Sequence, residues 1–216
     1  MPRQLSQEER RKVGFNMPFA KAVECFRRDA LSRKDYDPAT MAVFGSIMSR
    51  ALLEMLQAVE REFGERGQEV ATGALVGVGR RVAEEMLQGV EFPAGMTPVE
   101  RASAFITWLN EVVYASVEEP VIDSEDSFSF HIRWCPLQDI YSPIDCRIQR
   151  YLVEGELQAA AEIMGDFQIA FDFGIPSGHP TCHFSIRRRK PGEESAWDQY
   201  TRSINRKGLE KSRQGK

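Results

Sequence analysis

The side chains best suited to chemistry lie in the second half of this 216-residue chain. Six cysteines and histidines, including all three histidines, fall within 53 consecutive positions: His131, Cys135, Cys146, His179, Cys182 and His183. Thiolates act as nucleophiles and metal ligands, and imidazole titrates near neutral pH. The cluster therefore points either to a cysteine-dependent active site or to a pocket that binds a ligand or a metal.

Cys146 has the best-defined predicted environment of the group. The segment Ser142-Pro143-Ile144-Asp145 opens a predicted helix, which places Cys146 in its first turn. Unpaired N–H groups and the positive end of the helix dipole stabilise a thiolate there. We therefore expect a lowered thiol pKa and a nucleophilic Cys146. A buried, inert cysteine and a metal ligand are the alternatives.

The other candidate site residues have complementary roles. His131 or His179 would act as general base and acid, and Arg133 or Arg187 would hold a substrate carboxylate through the planar guanidinium group. The remaining candidates for the pocket wall are Cys135, Cys182, Trp134 and Tyr141. We predict no metal ligand among them. Zinc held by the three cysteines is the alternative, although spacings of 11 and 36 residues match no common zinc-ribbon pattern.

Strand parity affects which cysteines can meet. Cys182 shares a face with Phe184 and Ile186, which is the apolar face of its predicted strand. Cys135 falls on the polar face with His131, unless the proline that follows Cys135 ends the strand and releases this constraint. The two thiols share a site only in the second case.

The first half of the chain is predicted to be helical. Segments 38–66 and 69–87 carry apolar residues near helical spacing, and Gly64 and Gly67 separate them. A further helix begins at Thr97-Pro98-Val99-Glu100, which has the pattern of a capping box. Glycines inside the second helix weaken it, which suggests close packing against another backbone: Gly73, Gly77 and Gly79.

The second half alternates in the manner of strands. Segments 127–134, 167–173 and 182–187 carry apolar residues at every second position, and 117–123 is a hairpin partner for the first. A helix over about 142–164 separates the two strand pairs and covers the apolar face of the sheet. We therefore predict an α+β fold with a helical region (1–116), a β-β-α-β-β antiparallel sheet unit (117–190) and a basic C-terminal tail (191–216).

Composition restricts the partners and the compartment. The formal net charge of -4 argues against nucleic-acid binding. No uninterrupted apolar run reaches the roughly 18 residues of a spanning helix, so we expect no membrane partner. The charged N-terminus and only four cysteines favour a cytoplasmic protein with reduced thiols. The glycine-rich helix leaves open a homodimer.

Short motifs in the second half also resemble a known family. A Cys-Pro pair ends a strand (Cys135-Pro136), a cysteine stands in the next helix (Cys146), and a glycine-rich turn leads into Cys-x-Phe-x-Ile (182–186). The stretch from His131 to Arg188 thereby resembles the L-2-amino-thiazoline-4-carboxylic acid hydrolase family. The resemblance implies a small α+β domain that acts on a carbon–nitrogen or thiazoline ring bond, with cysteines at the site.

The architecture is also similar to 4-vinyl reductase-type ligand-binding domains, some of which bind zinc through cysteines. Two functions follow as expectations. The first is a hydrolase of a small cyclic C–N or thiazoline-type substrate, and the alternative is a non-enzymatic sensor-like domain that binds a small molecule or zinc.

Overall fold

The computed structural model describes residues 3–214 of the chain. This part of the chain contains seven α-helices and four strands. The helices are α1 (Gln7–Arg11), α2 (Ala20–Phe26), α3 (Thr40–Leu87), α4 (Pro98–Trp108), α5 (Arg147–Ala159), α6 (Ala161–Met164) and α7 (Ala196–Gln214). The strands are β1 (Val117–Ile122), β2 (Ser127–Trp134), β3 (Phe167–Phe173) and β4 (Cys182–Arg188). Helices precede the sheet along the chain, so the predicted α+β class is confirmed.

All neighbouring strands of the sheet are antiparallel, in the order β1-β2-β4-β3. Phe130 of β2 pairs with Phe184 of β4, and their rings stack with centroids 4.8 Å apart. Phe128 pairs with Ile186 on the same face, and both are buried. This inner face of the sheet packs on the helices, as the alternating pattern predicts.

Helix α4 begins with the predicted capping box. The Thr97 hydroxyl accepts from the Glu100 N–H, and the Glu100 carboxylate accepts from the Thr97 N–H. The helix then buries Val99 and Phe105 in the main core, and it continues into a π-helical turn at Leu109–Val113. The capping box therefore determines where α4 begins, and α4 packs against the inner face of the sheet.

Helix α3 consists of two helical segments that meet at Gly64. Gly64 has φ 59° and ψ -139°, a conformation that only glycine adopts readily. The sequence predicted a stop at this position, although the chain resumes a helix at once. The break directs the second segment along α5, where Gly79 and Gly155 meet.

Gly79 and Gly155 are the points of closest approach between α3 and α5. A Cβ atom on Gly79 would overlap the Leu152 carbonyl group, and one on Gly155 would overlap the Val76 carbonyl oxygen. The expectation of close backbone packing is therefore right for Gly79. It is wrong for Gly73, where an added Cβ would meet nothing within 4 Å.

The first segment of α3 exposes many of its apolar side chains. Met41, Val43, Phe44, Ile47 and Met48 are all exposed. An 18-residue stretch of α3 has a mean hydropathy of 1.3 with 11% of it buried, so the helix is long and apolar enough to cross a membrane by length and composition alone. The absence of a membrane partner therefore stays a prediction.

Two helical elements in the second half differ from the predicted pattern. The helix expected over 142–164 begins only at Arg147 and is interrupted at Ala160, which separates α5 from α6. The basic segment predicted as a tail contains α7, which buries Trp197, Ile204 and Leu209 against the rest of the fold. Apolar residues near helical spacing hold α7 in place although most of its surface is charged.

A buried ion pair connects α3, α5 and α7. Arg147 Nη2 donates to Glu60 Oε2 over 2.7 Å, and both side chains are fully buried. The Ser212 hydroxyl of α7 donates to the same carboxylate, and Gln68 Nε2 donates to Glu60 Oε1 over 2.7 Å. The Glu60 carboxylate is thus shared by three helices.

Candidate functional site

A cavity of about 150 Å³ lies between the inner face of the sheet, α5 and α7. Its wall is mostly apolar, with Ile106, Leu109, Phe130, Ile132, Val153, Leu157, Ile169, Phe171 and Phe184 among its residues. Three of the four cysteines line it. Cys135 follows β2, Cys146 immediately precedes α5, and Cys182 is the first residue of β4. The structure therefore places all three thiols in the wall of one cavity.

The position where β2 ends determines whether Cys135 stays on the polar face of the sheet with His131. The strand stops at Trp134, directly before Cys135 and Pro136. Cys135 is thereby freed from the alternation that keeps His131 on the outer face. Its backbone N–H donates to Gln138 Oε1 over 3.2 Å, which holds the turn that brings the thiol to the cavity.

The three thiols are kept in the protonated form. Burial raises the pKa of Cys146 to about 12, and the neighbouring Cys135 and Cys182 act in the same direction. Burial also raises the pKa of Cys135 and that of Cys182. The expected low pKa of Cys146 is thus wrong, because the loss of water around the thiol outweighs the helix start that follows it.

Metal binding does not fit this arrangement. Within residues 3–214, no group of three or more His, Cys, Asp or Glu side chains lies close enough to hold one ion. Cys135, Cys146 and Cys182 come from three different elements around the wall of the cavity.

The histidines lie on the outer face of the sheet, away from the thiols. His131 pairs with His183 across β2 and β4, with ring centroids 4.3 Å apart, and Thr181 Oγ1 lies 3.0 Å from His131 Nδ1. His179 packs on Phe173, whose ring also stacks on His183. Strand alternation keeps His131 on the outer face, and His179 lies in the loop between β3 and β4, so neither histidine lines the cavity that contains Cys146.

The other predicted pocket residues are also elsewhere. Arg133 pairs with Glu119 over 2.6 Å on the exposed outer face, and Arg187 pairs with Glu193. Trp134 is 44% exposed at the end of β2. Tyr141 is buried in a second apolar cluster, where its hydroxyl donates to the Ser49 carbonyl over 3.2 Å. None of these four side chains lines the cavity.

Arg150 is a cavity residue that the sequence analysis missed. Its guanidinium group lies over the Trp197 ring at 3.5 Å and over the Tyr200 ring at 4.4 Å, and both rings line the cavity. Burial lowers the pKa of Arg150 to about 10, so the group remains a cation at neutral pH. Its helical spacing from Cys146, at the fourth following position, is the signal that could have identified it.

Glu156, which the sequence offers as a possible acid or base, is a second cavity residue and lies six positions after Arg150 on α5. The Tyr114 hydroxyl lies 2.9 Å from each of its two carboxylate oxygens and donates to the group. Burial raises the pKa of Glu156 to about 7, which outweighs the stabilising hydrogen bond from Tyr114. The cavity wall therefore carries a carboxyl group that changes its charge near neutral pH.

This raised pKa predicts a stability effect. The folded state favours protonated Glu156, so its contribution is fully present below the ordinary pKa of 4.5 and is lost as pH rises through about 7. Within that window the loss is about 1.4 kcal/mol per pH unit. A Glu156→Gln variant cannot ionise there, so we expect its unfolding free energy to rise relative to wild type between pH 5 and pH 8.

Urea unfolding at the two pH values measures this difference. Burial also raises the pKa of Glu118 to about 7, but both proteins retain Glu118, so the comparison isolates Glu156. The exposed Glu162→Gln on α6 is the matched control and should show the same difference from wild type at both pH values. If the difference in unfolding free energy between Glu156→Gln and wild type were the same at pH 5 and pH 8, the raised pKa of Glu156 would be contradicted.

The family of this chain follows from a relative and not from a family model. No protein-family model matches the chain. A protein of Archaeoglobus fulgidus, described as an uncharacterized protein, is 41% identical over 211 residues. The alignment covers 94% of this chain and 94% of the archaeal one, so it spans nearly the full length of both. The chain belongs to the same family as this archaeal protein.

Proposed function

We propose that the protein binds an apolar small molecule in the cavity between the sheet and α5. The observation that carries this proposal is the cavity itself, with its mostly apolar wall. Protein interiors are normally packed to the density of organic crystals. A mostly apolar space of about 150 Å³ can therefore receive an apolar ligand, whose buried surface contributes roughly 25 cal/mol per Å² to binding.

The contents of the wall support binding over covalent chemistry. The three thiols have raised pKa values, so they present protonated, weakly polar groups to a ligand. Nucleophilic attack needs the thiolate. The histidines that would activate Cys146 lie on the other face of the sheet. A hydrolase would have to use Glu156 instead, and that function stays a prediction.

A neutral fluorescent probe tests the proposal. N-phenyl-1-naphthylamine becomes bright in apolar surroundings, and titration into the protein should give saturable binding. Val153 lies on α5 in the cavity wall, so Val153→Phe should fill part of the space and weaken the probe's affinity by about tenfold or more. The melting temperature of the variant confirms that it is folded.

A matched variant controls for binding elsewhere. Val117 is 54% exposed on β1, so Val117→Phe adds the same atoms outside the cavity and should leave the affinity unchanged. The exposed apolar face of α3 is a competing site for the dye. Equal affinity of folded Val153→Phe and wild type would place the dye there and would contradict the proposal.

A further inference from the structure

The cavity wall contains one buried cation without an acidic partner. Arg150 is 7% exposed, and no carboxylate of residues 3–214 lies within 4 Å of its guanidinium nitrogens. The other fully buried arginine, Arg147, has Glu60 and Asp145 at 2.7 and 3.5 Å. Burial of a charge is costly unless the charge is paired. Glu154 and Asp198 favour the Arg150 cation only from beyond 4 Å, so Arg150 lacks the direct ion pair that the fold gives to Arg147.

The protein uses only part of the hydrogen-bonding capacity of Arg150. Nε donates to Thr201 Oγ1 over 2.7 Å, and Nη2 donates to the Trp197 carbonyl oxygen. A guanidinium group has five N–H donors, so three remain, two on Nη1 and one on Nη2. These three have no acceptor in the described part of the chain. They lie on the two terminal nitrogens, which can bind both oxygens of a carboxylate at once.

The surroundings hold this guanidinium group in one orientation. The Trp197 ring and the Tyr200 ring contact it at 3.5 and 4.4 Å, and the two hydrogen bonds fix it further. Contacts of a cation with aromatic faces offset part of the cost of burial, but they supply no hydrogen-bond acceptor. A fixed cation with free donors in an apolar cavity is complementary to an anion that carries an apolar group.

We propose that the ligand of the cavity is an amphipathic carboxylate, with its carboxylate bound by Arg150 and its hydrocarbon part lying against the inner face of the sheet. This inference rests on the proposed function and specifies its ligand class. The apolar part contacts Phe130, Phe171 and Phe184, which line the cavity opposite α5. The carboxylate supplies the directly bound counter-charge that Glu154 and Asp198, both beyond 4 Å, do not supply.

Three probes with the same chain separate the head group from the hydrocarbon: octanoate, 1-octanol and octylamine. Calorimetric titration of wild type at pH 7 should show octanoate binding at least about tenfold more tightly than either other probe, because hydrogen bonds to a charged group are among the stronger ones. Arg150→Gln should reduce octanoate affinity to that of 1-octanol and leave 1-octanol unchanged. Arg150→Lys, which keeps the charge without the fork, should fall between the two.

Arg202→Gln on α7 is the control, since Arg202 is exposed and paired with Glu194, and its octanoate affinity should equal that of wild type. If Arg150→Gln does not fold, the ranking of the three probes in wild type decides. Equal affinity of wild type for octanoate and 1-octanol would overturn this inference while the apolar cavity stands as the binding site. Binding of none of the three would overturn both proposals.

Discussion

Glu60→Ala is expected to lower the free energy of unfolding by about 3–5 kcal/mol, because it leaves the buried Arg147 without its main counter-charge. Both side chains are fully buried, and the Glu60 carboxylate also accepts from Ser212 and Gln68. One substitution therefore removes an acceptor shared by α3, α5 and α7. Urea unfolding followed by circular dichroism at pH 7 measures the loss.

An exposed ion pair gives the matched control. Glu119 pairs with Arg133 over 2.6 Å, but both side chains are about half exposed. Exposed pairs contribute roughly 0.2–1 kcal/mol, so Glu119→Ala should have a small effect. The double variant Glu60→Leu/Arg147→Met should lose much less stability than Glu60→Ala, since it leaves no unpaired charge. Similar losses for Glu60→Ala and Glu119→Ala would show that Arg147 does not depend on Glu60.

Gly79→Ala is expected to destabilise the protein by at least about 2 kcal/mol although alanine is the better helix former. The added methyl group would overlap the Leu152 carbonyl group, so α3 and α5 would have to separate. The flexible end of a side chain can move away from such an overlap, whereas a backbone carbonyl in a packed helix cannot move independently. The midpoint of thermal unfolding reports the effect.

Gly73→Ala lies six positions earlier on the same helix and serves as the comparison. Gly73 is exposed, and an added Cβ meets nothing within 4 Å. The helix-propensity gain of up to about 1 kcal/mol should then appear as stabilisation. Opposite signs for the two substitutions are the expected result. The same sign at both positions would mean that Gly79 is not held against Leu152.

The sheet was predictable from sequence because each strand has one buried face. The alternation through Phe128, Phe130 and Ile132 predicted β2, and the same period predicted β3 and β4. The capping box at Thr97 and Glu100 likewise predicted the start of α4. In each case the signal is local, since a few neighbouring residues determine both the pattern and the structure.

The site was only partly predictable because its members meet through packing. The three cysteines were identified by residue type, and the proline after Cys135 indicated how its thiol could leave the polar face of β2. Parity also placed His131 on the polar face of β2, yet His131 was predicted as a general base for Cys146, because the position of Cys146 relative to the sheet depends on packing. Arg150 and Trp197 were missed, because their contact depends on α7 folding back onto α5, and the strongly charged composition of that segment masked its apolar positions.

The edges of the sheet have a consequence for self-association. At one edge, Arg3 exchanges two backbone hydrogen bonds with Ile122, and Pro120 lacks an N–H group to offer another strand. At the other, the side chain of Gln168 is bonded to the backbone of Glu194 and Ala196 beside α7. Such features hinder strand-to-strand growth between molecules, the usual route to aggregation of open sheets. A second copy of the chain would therefore pack more readily against the helical surface than against either edge strand of the sheet.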